Sequence, residues 1–146
     1  MTLLYADASA IARAYFQDER DHQDLRSLLL ESGERVVTSE LARVEVTRAL
    51  HVAGRSGRLE RWRETLRAMD SDFGSAGPIG PIRLRHEVIE PACQLVRSYR
   101  LRTLDAIHLA VALQDCPALA DGEEIVFVTR DEEQAAAASA LGLTVA

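Results

Sequence analysis

Residues 125–145, IVFVTRDEEQAAAASALGLTV, read as a strand, a helix and a second strand. Ile125–Thr129 is a short β-branched and aromatic run, the clearest strand pattern in the chain. The alanine-rich segment 131–141 is a strong helix former that stops at Gly142, and Leu143–Val145 resumes a strand. Working outward, the same alternation recurs. Residues 2–6 (TLLYA) read as a buried strand, with Ser9 as cap of a helix over about 10–16. Residues 21–31 read as a helix with Leu25, Leu28 and Leu29 on one face, stopped by Gly33 before a strand at Arg35–Thr38. Thr38 or Ser39 is then expected to cap a helix reaching Val52, whose apolar positions Leu41, Val44, Ala49 and Val52 recur near a 3.6 period.

The second half is similar. After the turn AGRSGR a helix is expected over 59–70, and FGSAGPIGP at 73–81 reads as a loop. An extended IRLR leads to a helix over about 86–99, with Pro91 at its first turn or a kink. Thr103 is expected to cap a helix over 104–114, with Asp115, Asp121, Glu123 and Glu124 in a solvated loop. Strands alternating with helices argue for one α/β sandwich on a mainly parallel sheet. At 146 residues one domain is expected.

No apolar stretch approaches the roughly 20 residues that span a bilayer, and MTLLYADAS lacks the basic and long apolar regions of a signal peptide. No membrane association is expected, and the cytoplasm is the expected compartment. Cys93 and Cys116 form neither a disulfide framework nor a metal-ligand spacing, and are expected reduced and at least partly buried.

Four acids stand at the edge of, or inside, apolar segments: Asp7 after TLLYA, Glu45 in LARVEVTRAL, Asp105 opening LDAIHLAVAL, and Asp131 after IVFVT. A carboxylate at such a boundary is costly to desolvate unless compensated, and a divalent cation is one shared compensator. Each acid also has a plainer account. Asp7 and Asp131 suit helix caps, and Asp105 suits the positive end of a helix. Glu45 suits a surface pair with Arg43 or Arg48. Ser9 could hold Asp7 or a bound water, and Thr129 could orient Asp131 or a water. His108, one turn after Asp105, reads as a packed, hydrogen-bonded histidine, with metal ligation as the other reading. Jointly the acids are more telling, because ligands of open α/β sheets bind beyond the carboxyl ends of the strands. Without a cation, mutual repulsion should raise the pKa of at least one of them.

Net charge is −6, but all 17 basic residues are arginine; setting the four acids aside from 23 leaves 19 against 17. The acidity therefore does not exclude a nucleic-acid substrate. Arg55, Arg58, Arg61, Arg63 and Arg67 are candidates for phosphate contact, or form a solvated face paired with Glu60 and Glu64.

Four segments carry a family resemblance: YADASAIARAYF (5–16), SELARVEVTRAL (39–50), LRTLDAIHLAVAL (101–113) and FVTRDEEQAAAASALGLTV (127–145). Together they resemble the PIN-domain ribonucleases, and among them the VapC-type toxins of type II toxin–antitoxin pairs, over nearly the whole chain. The resemblance implies a three-layer α/β/α domain spanning 1–146. It implies a Mg²⁺- or Mn²⁺-dependent endoribonuclease acting on RNA, with a catalytic and metal-binding set on Asp7, Glu45, Asp105 and Asp131, supported by Ser9 and Thr129. A homodimer and a cognate VapB-type antitoxin are implied as well.

Rival classes fit less well. A phosphoacceptor receiver domain needs a lysine near its acids, and this chain has no lysine. A haloacid-type phosphatase needs Asp-x-Asp after its first strand, where this chain has Asp7-Ala8-Ser9. A non-catalytic PIN-like module acting through a partner is the remaining alternative.

Overall fold

The computed structural model describes residues 2–146. Five strands form one sheet, β1 (Thr2–Ala6), β2 (Arg35–Ser39), β3 (Ile79–Ile82), β4 (Glu124–Val128) and β5 (Thr144–Val145), in the order β3-β2-β1-β4-β5. All four pairings are parallel. The helices among the described residues are α1 (Ala8–Tyr15), α2 (His22–Arg26), α3 (Leu41–Arg55), α4 (Trp62–Asp72), α5 (Ile89–Ser98), α6 (Thr103–Ala120) and α7 (Glu132–Ala140). A π-helical turn, Ser27–Glu31, prolongs α2, and a 3₁₀ turn, His86–Val88, precedes α5.

The period of two along β1 divides the core into two layers. Leu4 and Ala6 face one layer with residues of α1–α4, whereas Leu3 and Tyr5 face the other with residues of α5, α6 and α7. The result is the expected α/β/α sandwich. None of its helices is long and apolar enough to cross a membrane, among the described residues.

Several local expectations are corrected. The Gly/Pro segment 73–81 is not all loop, because β3 begins at Ile79 and includes Gly80 and Pro81. Proline is tolerated there because β3 is an edge strand. The Ile82 carbonyl accepts from the Glu40 N–H at 2.9 Å, so by alternation Pro81 turns its missing donor to the open edge.

Helix α6 does not stop at Gln114; it runs through Pro117 to Ala120. Its apolar positions continue past Gln114, and Cys116 and Ala120 are buried, so packing outweighs the hydrogen bond that proline removes. Asp115 therefore lies on a helix and is bonded by Arg85 rather than solvated in a loop.

On α3 the buried stripe is Ala42, Val46, Leu50 and Ala53, while Val44 and Val52 are 67% and 49% exposed. Both stripes have helical spacing, and the packing of α4, α1 and β2 against α3 selects between them. Cys93 is exposed and Cys116 buried, both as free thiols, and burial pushes the Cys116 thiol up to about 12. The helix stops at Gly33 and Gly142 hold, both with positive φ, at 79° and 90°.

Candidate active site

From β1 the chain runs through β2 and β3 on one side, then returns to β4 and β5 on the other. The gap beyond the carboxyl ends of β1 and β4 is therefore the point where strand order reverses, the crevice in which open parallel sheets place their ligands. Ala6 pairs with Val128, so Asp7 and Thr129 emerge side by side, and the Asp7 N–H donates to the Val128 carbonyl at 3.1 Å.

Asp7, rather than Ser9, caps α1: its Oδ1 accepts from the Ala10 N–H at 3.0 Å. Ser9 lies in the first turn and donates to Asp7 at 2.8 Å, while its Oγ accepts from the Arg130 N–H at 3.0 Å. The Thr129 hydroxyl lies 2.8 Å from Asp7 Oδ2 and 3.0 Å from Gln134 Oε1, so its single proton is shared between two acceptors. Thr129 thus orients Asp7; toward Asp131 it only accepts the backbone N–H, at 3.0 Å. Asp7 is 2% exposed. Burial raises its pKa, against the lowering effect of the Ala10 N–H and the Ser9 and Thr129 hydroxyls. A raised acid was expected, but its cause is desolvation and not repulsion among the four carboxylates.

Glu45 pairs with neither Arg43 nor Arg48. Its Oε1 lies 2.6 Å from His108 Nε2, and His108 Nδ1 lies 2.8 Å from the Tyr5 hydroxyl. That hydroxyl accepts from the Ser39 N–H at 3.2 Å. With its acceptor side used by Ser39, Tyr5 donates to Nδ1, which leaves Nε2–H to donate to Glu45. His108 is 1% exposed, the packed and hydrogen-bonded histidine of the plainer reading.

Asp105 is the third residue of α6, not behind a Thr103 cap: Arg102 occupies the cap position and makes no side-chain capping bond. Arg102 Nε instead donates to Asp105 Oδ2 at 3.2 Å, and its Nη2 lies 3.7 Å from Asp131 Oδ2. Asp131 caps α7 through the Gln134 N–H at 2.8 Å. These two acids line a cavity of about 370 Å³ together with Glu132, Glu133, Arg100, Arg102 and Arg130. The arginines nearest the acids are therefore not those of 55–67. Arg58 is held by Asp18 and Glu19 over the Phe16 ring, and Arg61 lies 3.8 Å from Glu64.

Gln134 was not anticipated. It is fully buried, and its Nε2 donates to the Asp105 carbonyl at 3.1 Å while Oε1 faces Thr129. It ties the start of α6 to the end of β4. The signal was available as Asp131-x-x-Gln134 opening a helix, the spacing of a capping box, with a side chain that here reaches across rather than back. Tyr5 was also missed, because in sequence it is one more apolar residue of β1.

All four acids thus belong to one connected edge of the sheet. Their side chains as they stand do not converge: among the described residues no group of three or more His, Cys, Asp or Glu side chains is placed to hold one ion. Glu45 is turned to His108, and Asp105 and Asp131 are turned to Arg102. The donor chemistry, a buried carboxylate of raised pKa with further carboxylates in the chain segments beside it, nevertheless suits a hard divalent cation.

Comparison with protein families matches residues 4–140 to the PIN domain. The chain belongs to the PIN domain family. Relatives of this PIN domain include ribonuclease VapC47 of Mycobacterium tuberculosis (strain CDC 1551 / Oshkosh), 36% identical over 115 residues that cover 77% of this chain and 76% of that protein. Ribonuclease VapC46 of M. tuberculosis (strain ATCC 25618 / H37Rv) is 38% identical over 112 residues, covering 77% and 75%. The crystal structure of M. tuberculosis VapC20, a sarcin-ricin-loop-cleaving toxin, aligns over 97% of this chain and 96% of that one. Its TM-score is 0.65 at 18% identity, a likeness of fold.

Proposed function

We propose that this PIN domain is a metal-dependent endoribonuclease of the VapC type, the toxin of a toxin–antitoxin pair. One juxtaposition carries the reading. A buried aspartate stands at the switch point of a parallel sheet, in a chain that carries Glu45, Asp105 and Asp131 as further acids and is 34–38% identical to proteins named ribonuclease VapC. Asp7, Glu45, Asp105 and Asp131 would hold Mg²⁺ or Mn²⁺. Such an ion lowers the pKa of a bound water and stabilises charge on the leaving oxygen of a phosphodiester.

The chain's own residues do the rest. Ser9, Thr129 and the Ala10 N–H fix the Asp7 carboxylate. The Tyr5–His108 pair holds Glu45 at the rim. Gln134 sets the spacing between the Thr129 and Asp105 walls. Arginines at the cavity supply affinity for the RNA backbone.

Cytoplasmic placement and a VapB-type antitoxin follow from the same reading. The apolar groove lined by Ile89, Ala92, Val96 and Ile107, with Leu104 exposed on α6, supports a homodimer.

The test is cleavage of total cellular RNA by purified, antitoxin-free protein, with and without Mn²⁺ or Mg²⁺, beside Asp7→Asn. Metal-dependent cuts at discrete sites, absent in the variant, are expected. A folded protein that cuts nothing with either ion would return the weight to a partner-binding module.

A further inference from the structure

Of the four acids that line the cavity, Arg102 lies within 4 Å of Asp105 and Asp131, the two site candidates, and it is 84% exposed. Nothing packs it into place. It is held by a hydrogen bond to Asp105 and by charge, and its own pKa is raised by the Asp105 hydrogen bond first, then by the Asp105 and Asp131 charges. Its neighbours at the same cavity differ. Arg130 is fixed by Asp21 and by the Thr129 carbonyl at 2.8 Å, and Arg100 points to neither site acid within ion-pair distance among the described residues.

We propose that Arg102 is the resident counter-cation of the acidic site, which it yields to a divalent ion in order to bind the phosphate of the RNA. The proposal rests on the metal-dependent reading above and deepens it. Asp105 and Asp131 come from different elements, the first turn of α6 and the N-cap of α7, and would repel each other if unpaired. The guanidinium bridges them. A divalent cation entering between them competes for the same oxygens and wins on charge, while the exposed ion pair it breaks is a weak one. The released guanidinium stays at the cavity mouth on its own tether. Its planar fork matches two phosphate oxygens as well as it matches a carboxylate. One residue would thus pair the two acids before a cation binds and recognise substrate afterwards.

The two roles predict effects of opposite sign, which a merely structural residue would not give. Mn²⁺ affinity is measured by calorimetry on the full-length protein without RNA, for wild type, Arg102→Gln and Arg102→Lys. Affinity for a 2′-O-methyl RNA oligonucleotide, which cannot be cut, is measured by anisotropy in saturating Mn²⁺. Arg102→Gln should bind Mn²⁺ about two- to fivefold more tightly, the range of an exposed ion pair removed as competitor. It should bind the oligonucleotide several-fold more weakly. Arg102→Lys, which keeps the charge but loses the fork, should lie near wild type for Mn²⁺ and near Gln for RNA. Equal or weaker Mn²⁺ binding by a folded Arg102→Gln, with wild type binding normally, overturns the proposal alone. No Mn²⁺ binding by any of the three proteins overturns the metal reading and the exchange with it.

Discussion

The inner and outer halves of the site are built on different physics. Asp7, Thr129, Gln134 and His108 are buried within a few per cent of completely, and each has its polar atoms committed to neighbours. Asp105 and Asp131 sit at the rim, held by one solvent-exposed arginine. The inner half is rigid because an unsatisfied group there would cost a full desolvation penalty. The outer half is exchangeable because water stands ready to replace any partner it loses. A binding site for a cation and a mobile polymer needs both kinds of wall, one to fix geometry and one to open.

The largest effect should come from Asp7. Asp7→Asn keeps a good helix cap and removes the buried charge. Metal-dependent RNA cleavage should fall on the order of a hundredfold or more, as for a group acting in the transition state. The metal-free protein should be as stable as wild type or more so by thermal melting. Loss of stability together with activity would mean that Asp7 is only a cap. Thr129→Val tests the same wall one bond further out. It keeps the shape of β4 but leaves Asp7 and the Asp131 N–H short of a partner, and cleavage should drop about tenfold or more. An unchanged rate would make the inner hydrogen bonds irrelevant to function.

The same contrast explains what could be read from sequence. The strand–helix alternation, the parallel sheet and the placement of Asp7 and Asp131 at strand ends were legible because they depend on local periodicity. The edge strand through Gly80 and Pro81 was hidden because only its edge position makes proline acceptable. The extension of α6 past Pro117 was hidden because burial of Cys116 and Ala120 overrides a local breaker. On α3 two helical stripes compete, and the sequence alone could not decide that Val46 turns inward and Val44 outward. The partners of the acids were least legible. Glu45 has two arginines nearby in sequence yet meets a histidine 63 positions away.

Tyr5→Phe probes the inner half by stability alone. The ring remains stacked on Phe127, at a centroid distance of 5.4 Å, but His108 Nδ1 and the Ser39 N–H lose their partner. Urea unfolding should show a loss of about 1–3 kcal/mol. A neutral result would mean that water reaches Tyr5, and that the inner wall is less closed than its burial implies.

Asp7 also gives a pH signature. An acid whose folded pKa lies above its unfolded value of about 3.9 holds its proton more tightly in the folded chain. Its ionisation therefore removes stability as pH rises toward the folded value, and lowering the pH restores it. In metal-free buffer, the stability advantage of Asp7→Asn should shrink as the pH falls through the raised folded value toward about 3.9, the unfolded one. A constant difference across that range would mean that the carboxylate is better solvated than its burial indicates.

The smallest effect separates the two roles of Asp131, which belongs to both halves: its Oδ1 caps α7 and its Oδ2 faces Arg102. Asp131→Ala removes the cap and should cost about 1 kcal/mol, read by urea unfolding. Asp131→Asn keeps the cap and removes the charge, so its stability should stay within about 0.5 kcal/mol of wild type. If Asp131→Asn nevertheless cleaves RNA more slowly and binds Mn²⁺ more weakly, the outer oxygen belongs to the site. If Asp131→Asn cleaves like wild type, the acid is a cap alone. Asp105 would then be the one acid of that pair that serves the site, and the bridge made by Arg102 would have one anchor that matters rather than two.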